Sequence, residues 1–462
     1  MIYRYVFDEI EEWLASRRPK CLVLRGARQV GKTTAIRSLP SVRGGETGLC
    51  ELNLERHPDL EKVFAGGDTG RMLEEIGFTA GRSPDEGDIV FLDEVQAAPS
   101  ALPALRYLAE DYPAMRWVAA GSLLDAELRE SDTPVPVGRM QYLFMGPLSL
   151  EEYMEGAGDL GMELGLIREW EPGRSFASAA HRHLCGALRR FLVVGGMPEV
   201  AEAWLETGRS GEVARLQASI MNTYRDDFAK YAYGTDPILL RRVFDWVPAR
   251  AGDKVIYSHI SPETRSAKVR RAIEYLSDAR VVSPVVHSHG NGLPLGAEAR
   301  PRVYKLYFLD VGLAAGTTGI RRIDPEMLQS RDFINSGRLA EQFVAQHLLF
   351  RGPSWERPAL YYWLREGRSG NAEVDFLLEG PQGVVPLEVK AGASGSMKSL
   401  LRFVMEKGSP AAVRLDMNPP SLQRVRHKIG TGSGASEVSF DLLSLPLYMV
   451  GQVGRLLECI SV

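Results

Sequence analysis

Two groups of residues in this chain have types and spacings suited to phosphate chemistry, and they lie near opposite ends. In "GARQVGKTT" the run Gly26, Ala27, Arg28, Gln29, Val30, Gly31, Lys32, Thr33 fits G-x-x-x-x-G-K-[ST], with Thr34 following. Glycines there let backbone N–H groups wrap phosphates at a helix start; Lys32 would reach the β and γ phosphates and the Thr33 hydroxyl would take Mg²⁺. Farther on, "GDIVFLDEVQ" is an apolar strand ending in Asp93–Glu94. Acids after a buried parallel strand land at the carboxyl edge of the sheet, where ligands bind. Asp93 would complete the Mg²⁺ shell and Glu94 would polarise the attacking water. These halves, in this order, predict an ATPase core. Ser122 closes the next strand, in "WVAAGSLLD", and has two readings, a γ-phosphate sensor or a helix N-cap. Arg139, in "VPVGRMQYLF", is either a surface charge or an arginine finger.

The second group is "EVDFLLEGPQGVVPLEVKAG", residues 373–392, where Asp375, Glu388 and Lys390 sit inside apolar, strand-like runs. A buried charge without a partner is costly, so the three need each other or a ligand. Residues i and i+2 of a strand share a face, which puts Glu388 and Lys390 on one side. A neighbouring strand carrying Asp375 would create a hard oxygen site suited to Mg²⁺ or Mn²⁺, with Lys390 positioning water. The alternative is a structural ion pair between Lys390 and the acids.

The elements that must position these residues require several domains, because 462 residues at 45% hydrophobic exceed one ordinary core. A net charge of −4 excludes a global basic field, so any nucleic-acid contact must be local. The acidic start "MIYRYVFDEIEEWLASRR" is unlike a signal peptide, no run reaches membrane-spanning length, and four scattered cysteines form no framework. A cytoplasmic setting is expected. Residues 1–147 read as the P-loop core and 148–237 as a helical lid. Residues 238–330 read as a winged helix with Arg265, Lys268, Arg270 and Arg271 on or just before its third helix, and "SPVVHSHGNGLPLGAEARPRVYKLYFLD" as its wing. Arg225, Asp226 and Asp227 read as solvated or arginine-paired charges, and the two His-x-His pairs not as metal sites. Residues 331–462 follow the order helix–strand–strand–strand–helix–strand, and "GTGSGAS" at 430–436 reads as a flexible loop.

On "GARQVGKTT", "FLDEVQ", "AAGSLLD", "VGRMQYLFMGPLSLEEY", "GGMPEV", "YRDDF", "KLYFLDVGLAA" and "EVDFLL…PLEVK", the chain resembles the bacterial and archaeal AAA-type ATPases that carry a C-terminal domain of unknown function. The resemblance covers most of the chain, from near residue 20 to about residue 390. It implies ATP as the nucleotide and supports roles for Ser122 and Arg139. The last region resembles restriction-endonuclease-like domains with a PD-(D/E)XK signature, which implies a helix glutamate at Glu341. Val374 stands where that signature has proline. The expected fold class is therefore multidomain α/β: an AAA-type P-loop core with a helical lid, a winged helix and a restriction-endonuclease-like domain. The expected function is an ATP-hydrolysing, DNA-binding protein coupled to a metal-dependent nuclease-like domain. A non-cleaving DNA-binding ATPase and a nucleotide-switched protein-interaction ATPase are the alternatives. DNA is the expected partner, a homo-oligomer is left open, and no membrane is expected.

Overall fold

A computed structural model describes residues 2–17, 19–45, 47–122, 124, 138–231, 235–318, 337–366, 371–392, 397–431 and 434–460. Five short apolar runs form a parallel sheet: β1 Cys21–Arg25, β2 Leu49–Asn53, β3 Ile89–Asp93, β4 Arg116–Gly121 and β5 Met140–Phe144, in the order 2-3-4-1-5. Near-continuous apolar strands belong to sheets covered on both faces. Here alternation divides them cleanly: Leu22, Leu24, Phe91 and Val118 join one buried cluster, while Val23, Val90, Leu92 and Ala119 join another on the opposite face. The phosphate loop, Asp93 and Gly121 all fall at the carboxyl edge.

Between residues 148 and 231 the chain is mainly helical, with helices at Leu150–Ala157, Gly161–Glu169, Ser178–Val194, Pro198–Thr207 and Ser210–Tyr231. Helices Pro237–Ala249, Tyr257–Ile260 and Ser266–Asp278 follow. The remaining strands are β6 Val282–Ser288, β7 Ala299–Phe308, β8 Leu360–Arg365, β9 Ala372–Gly380, β10 Gly383–Val389, β11 Ala411–Asp416, β12 Ser421–Thr431 and β13 Gly434–Pro446. They make one eight-stranded sheet in the order 12-13-11-10-9-8-6-7.

Two expectations change here. The β6–β7 hairpin does not stand free as a wing, because β6 pairs in parallel with β8. A boundary at 330/331 therefore runs through one continuous sheet. The physical reason is the unpaired edge a free β6 would leave, with buried Val282 and Val285 beside it. The buried apolar cluster is likewise continuous, taking in side chains from Ile2 to Leu457. Second, the Gly/Ser stretch at 430–436 is the tip of a long hairpin, paired down to Thr431 and Gly434, with residues 432–433 outside the described ones.

Candidate functional site

The phosphate loop leaves β1 and turns into helix Lys32–Arg37, with Gln29 at φ +63° and Gly31 at φ +94°. The left-handed value at Gly31 needs glycine. Lys32 Nζ lies back in the loop, donating to Gly26 O at 2.9 Å and Ala27 O at 2.8 Å. Burial pushes its ammonium down to about 8, opposed by Glu94 and Asp93. Thr33 Oγ1 donates to Asp93 Oδ2 at 2.8 Å, so the two groups expected to share Mg²⁺ already meet. That donor set fits Mg²⁺ completed by phosphate and water. Burial raises the Asp93 carboxyl, with the Thr33 bond working against it.

Glu94 adopts φ +52°, an uncommon conformation outside glycine, and its N–H donates to Asp93 Oδ1 at 3.0 Å. Its Oε2 accepts from Gln96 Nε2 at 2.6 Å and from Ser122 Oγ at 3.5 Å. Ser122 is thus brought to Glu94. Gln96 was missed; its only sequence signal is its place in "DEVQ". The close fit is visible at Gly121, where a Cβ would lie 2.6 Å from Gln96 Oε1. A cavity of about 630 Å³ opens over the loop, lined by Arg28, Gln29, Gly31, Lys32, Thr33, Thr34 and Glu94, with Glu199 and Glu202 opposite. Arg28 pairs with Asp227 at 2.6 Å and Glu55 at 2.8 Å, so Asp227 is arginine-paired, but to the phosphate loop itself. Gly26, Ala27 and Val30 support the loop from below, the last two fully buried. A Cβ at Gly26 would lie 2.4 Å from Met145 O.

Arg139 is not brought to this site. It is exposed, 3.2 Å from Glu110, and its carbonyl accepts from Cys21 N at the start of β1. The phosphate loop leaves the other end of that strand, roughly 17 Å away at about 3.3 Å per residue. A finger role for Arg139 would have to serve a second copy of the chain.

The second group does converge. Asp375 on β9 accepts from Val389 N at 2.8 Å, and Glu388 on β10 pairs with Lys390. Glu341 comes from helix Gly337–Leu349 and accepts from Tyr307 OH at 3.2 Å. Sequence reasoning missed Tyr307 and Lys305, both on one face of β7. Lys305, its side chain 1% exposed, pairs with Glu373 on β9. Two strands separate β7 from β9, and Lys305 reaches across them, its Nζ 5.1 Å from the centroid of the Tyr362 ring on β8. The signal available was a lysine inside the apolar run "VYKLYFL".

Charge at the cluster is unbalanced: Glu341, Glu373, Asp375 and Glu388 face Lys305 and Lys390. Burial first, and Asp375 second, push the Glu341 and Glu388 carboxyls well above the usual carboxylate range. Among the described residues Glu388 Oε2 is buried with no partner, and no three His, Cys, Asp or Glu side chains form a metal-ligand group. Asp375 and Glu388 make a two-carboxylate set with one orphan oxygen, which suits an Mg²⁺ that keeps its waters. His181 contacts Tyr448 OH at 2.8 Å, and His287 meets His289 edge to face, 5.1 Å between ring centroids. On helix Ser266–Asp278 the side chains of Lys268, Arg270 and Arg271 are exposed.

A P-loop nucleotide-binding core is what the parallel sheet and the Lys32–Thr33–Asp93–Glu94 geometry describe at the N-terminal end. In agreement, residues 18–154 match the family model described as an AAA domain. Residues 186–324 and 336–418 match two further models, each described as a domain of unknown function. Among solved structures, the Walker-type ATPase PABY2304 of Pyrococcus abyssi is 13% identical, with 69% of this chain and 96% of that one covered at a TM-score of 0.44. The ORC2 protein of Aeropyrum pernix is 12% identical, covering 69% and 94% at 0.34. The RuvB Holliday junction branch migration motor of Thermotoga maritima is 15% identical, covering 61% and 89% at 0.27. At these scores the likenesses decide nothing further about this chain. No curated protein matches. No helix among the described residues is long and apolar enough to cross a membrane.

Proposed function

We propose that this chain hydrolyses ATP and uses the turnover to govern DNA handling by its C-terminal sheet region. The observation that carries the reading is the Thr33–Asp93 contact beside Glu94, which is held by Gln96 and Ser122. ATP would place its phosphates on the loop amides and Lys32, with Mg²⁺ held by Thr33 and Asp93, while Glu94 orients water. The helices of 148–237 would close over the nucleotide, and the basic side chains of helix Ser266–Asp278 would meet the DNA backbone.

The C-terminal element order, with β8–β9 and β9–β10 antiparallel and β10–β11 parallel, supports a restriction-endonuclease-like core. In that reading Asp375 and Glu388 would hold Mg²⁺ or Mn²⁺, which would polarise the scissile phosphate; Lys390 would position water, and Glu341 would hold or release a proton beside them. A second reading, DNA gripping without cleavage, is favoured by Lys305, since a buried tethered cation already neutralises part of the cluster.

The deciding experiment incubates single-stranded, duplex and branched DNA with the protein and Mg²⁺ or Mn²⁺, with and without ATP. We expect Lys32→Ala to abolish ATP hydrolysis and Lys390→Ala to abolish cleavage. ATP hydrolysis with every DNA left intact but bound supports the gripping reading, intact and unbound DNA supports the protein-interaction alternative, and no hydrolysis by the wild type removes the proposal.

A further inference from the structure

One buried guanidinium from the start of the chain grips the phosphate loop. Arg4, 8% exposed, donates from Nη1 to Val30 O at 2.9 Å, from Nη2 to Gly146 O at 2.9 Å and from Nε to Glu152 Oε1 at 3.0 Å. In a trans peptide the carbonyl and the following N–H point in opposite directions. Anchoring Val30 O therefore turns the Gly31 N–H away from Arg4. A Cβ built at Gly31 would lie 3.8 Å from Arg4 Nη1, and both residues line the nucleotide cavity. A side chain outside the motif thus sets the orientation of a peptide within it.

Glu152 extends the grip. Its Oε1 also accepts from Tyr5 N at 2.9 Å, and its Oε2 accepts from Ser149 N at 2.8 Å. Ser149 Oγ accepts in return from Glu152 N at 3.1 Å, a reciprocal cap on helix Leu150–Ala157. The next amide, Leu150 N, donates to His347 Nε2 at 2.8 Å. His347 Nδ1 lies 2.8 Å from Phe343 O, which can only accept, so Nδ1 carries the proton and Nε2 is free to accept. His347 is buried, and its helix, Gly337–Leu349, is the one that carries Glu341.

We propose that Arg4 is a positioning residue of the nucleotide site and that, through Glu152 and the cap to His347, nucleotide affinity depends on the docking of helix Gly337–Leu349. This rests on reading the phosphate loop as the ATP site and is independent of whether the carboxylates cleave DNA. Arginine suits the task because its rigid planar fork aims separate nitrogens at three spread acceptors, whereas an ammonium gathers its donors on one atom at the end of a flexible stem.

The test titrates a fluorescent, non-hydrolysable ATP analogue with Mg²⁺ into the full chain and measures ATPase kinetics in parallel. Arg4→Lys keeps the charge and loses the fork; we expect Kd to rise about five-fold or more, and KM to rise more than kcat falls. His347→Phe removes the acceptor far from the nucleotide cavity and should raise Kd several-fold. His347→Gln, which restores an acceptor, should recover most of the loss. Melting temperatures without nucleotide identify any variant that fails to fold, and the His347 pair keeps the test decisive if Arg4→Lys is one of them. Kd within two-fold of wild type for His347→Phe, or no recovery in His347→Gln, overturns the inference alone. A wild type that binds no nucleotide overturns the ATPase reading and this inference together.

Discussion

Glu94 shows how one residue is prepared for its role. Its backbone is held at φ +52°, its N–H is tied to Asp93, and its carboxylate is held by Gln96 and Ser122. Glu94→Gln keeps the shape and removes the base, so nucleotide should still bind while turnover falls about 10²–10⁴-fold. An ATPase assay beside a binding titration separates the two effects. Lys305 makes the opposite point, a charge whose importance lies in what it neutralises. Lys305→Met fills the same space but leaves Glu373, Glu341 and Asp375 short of a cation. Breaking a buried pair from one side costs on the order of 3–5 kcal/mol. Because Glu341 and Glu388 titrate above the ordinary carboxylate range, they take up protons as pH falls through and below neutrality, and the deficit shrinks. Thermal melts should show a larger loss for Lys305→Met at pH 8 than at pH 5.5; equal losses would rule out electrostatic compensation.

At the scale of the element, helix Gly337–Leu349 is unusual in burying polar side chains, each with a partner. Gln342 exchanges hydrogen bonds with the backbone of Phe308 at 2.7 and 2.8 Å, and Gln346 accepts from Val311 N at 2.8 Å. Through these bonds the helix is registered against the end of β7 and the chain that follows. Burial pushes His347 down to about 4. A base with a depressed folded value contributes stability that is present above its unfolded value, near 6.5, and lost as pH falls toward 4. That gap corresponds to on the order of 3–4 kcal/mol. We expect the wild-type melting temperature to drop between pH 6.5 and pH 4 more steeply than that of His347→Gln. Parallel slopes would place the acid sensitivity elsewhere.

For the whole molecule, the consequence of a continuous sheet and core is that the helices of 237–278 cannot swing as a free winged module. Helix Ser266–Asp278 packs Val269, Ile273 and Leu276 inward and turns Lys268, Arg270 and Arg271 outward, with Arg270 also 3.5 Å from Glu274. Charge reversal at these three positions should weaken DNA binding uniformly across sequences. It should also flatten the plot of log affinity against log salt, by about 1 for each phosphate that the protein no longer neutralises. A binding titration across salt concentrations reads this directly, and an unchanged slope would move the contact elsewhere or support the protein-interaction alternative.

The sequence by itself determined what is local. The phosphate loop is an apolar strand, two glycines, a lysine and a helix start in one unbroken run, so its shape is written in adjacent residues. Asp93–Glu94 at a strand end, and Glu388 beside Lys390 at i and i+2, follow from the period of a strand. Even the element order that brings Asp375 and Glu341 toward Glu388 could be read from apolar runs. Tertiary structure decided which strands became neighbours. It carried the β6–β7 hairpin into the C-terminal sheet, brought Lys305 to Glu373 and left Arg139 at the edge of the sheet away from the phosphate loop. It also brought Arg4 and His347 to the two ends of one chain of hydrogen bonds. None of these pairings has a periodic signature, because each joins residues distant in sequence whose meeting depends on strand order and sheet curvature, and those are fixed by burial of the whole core at once.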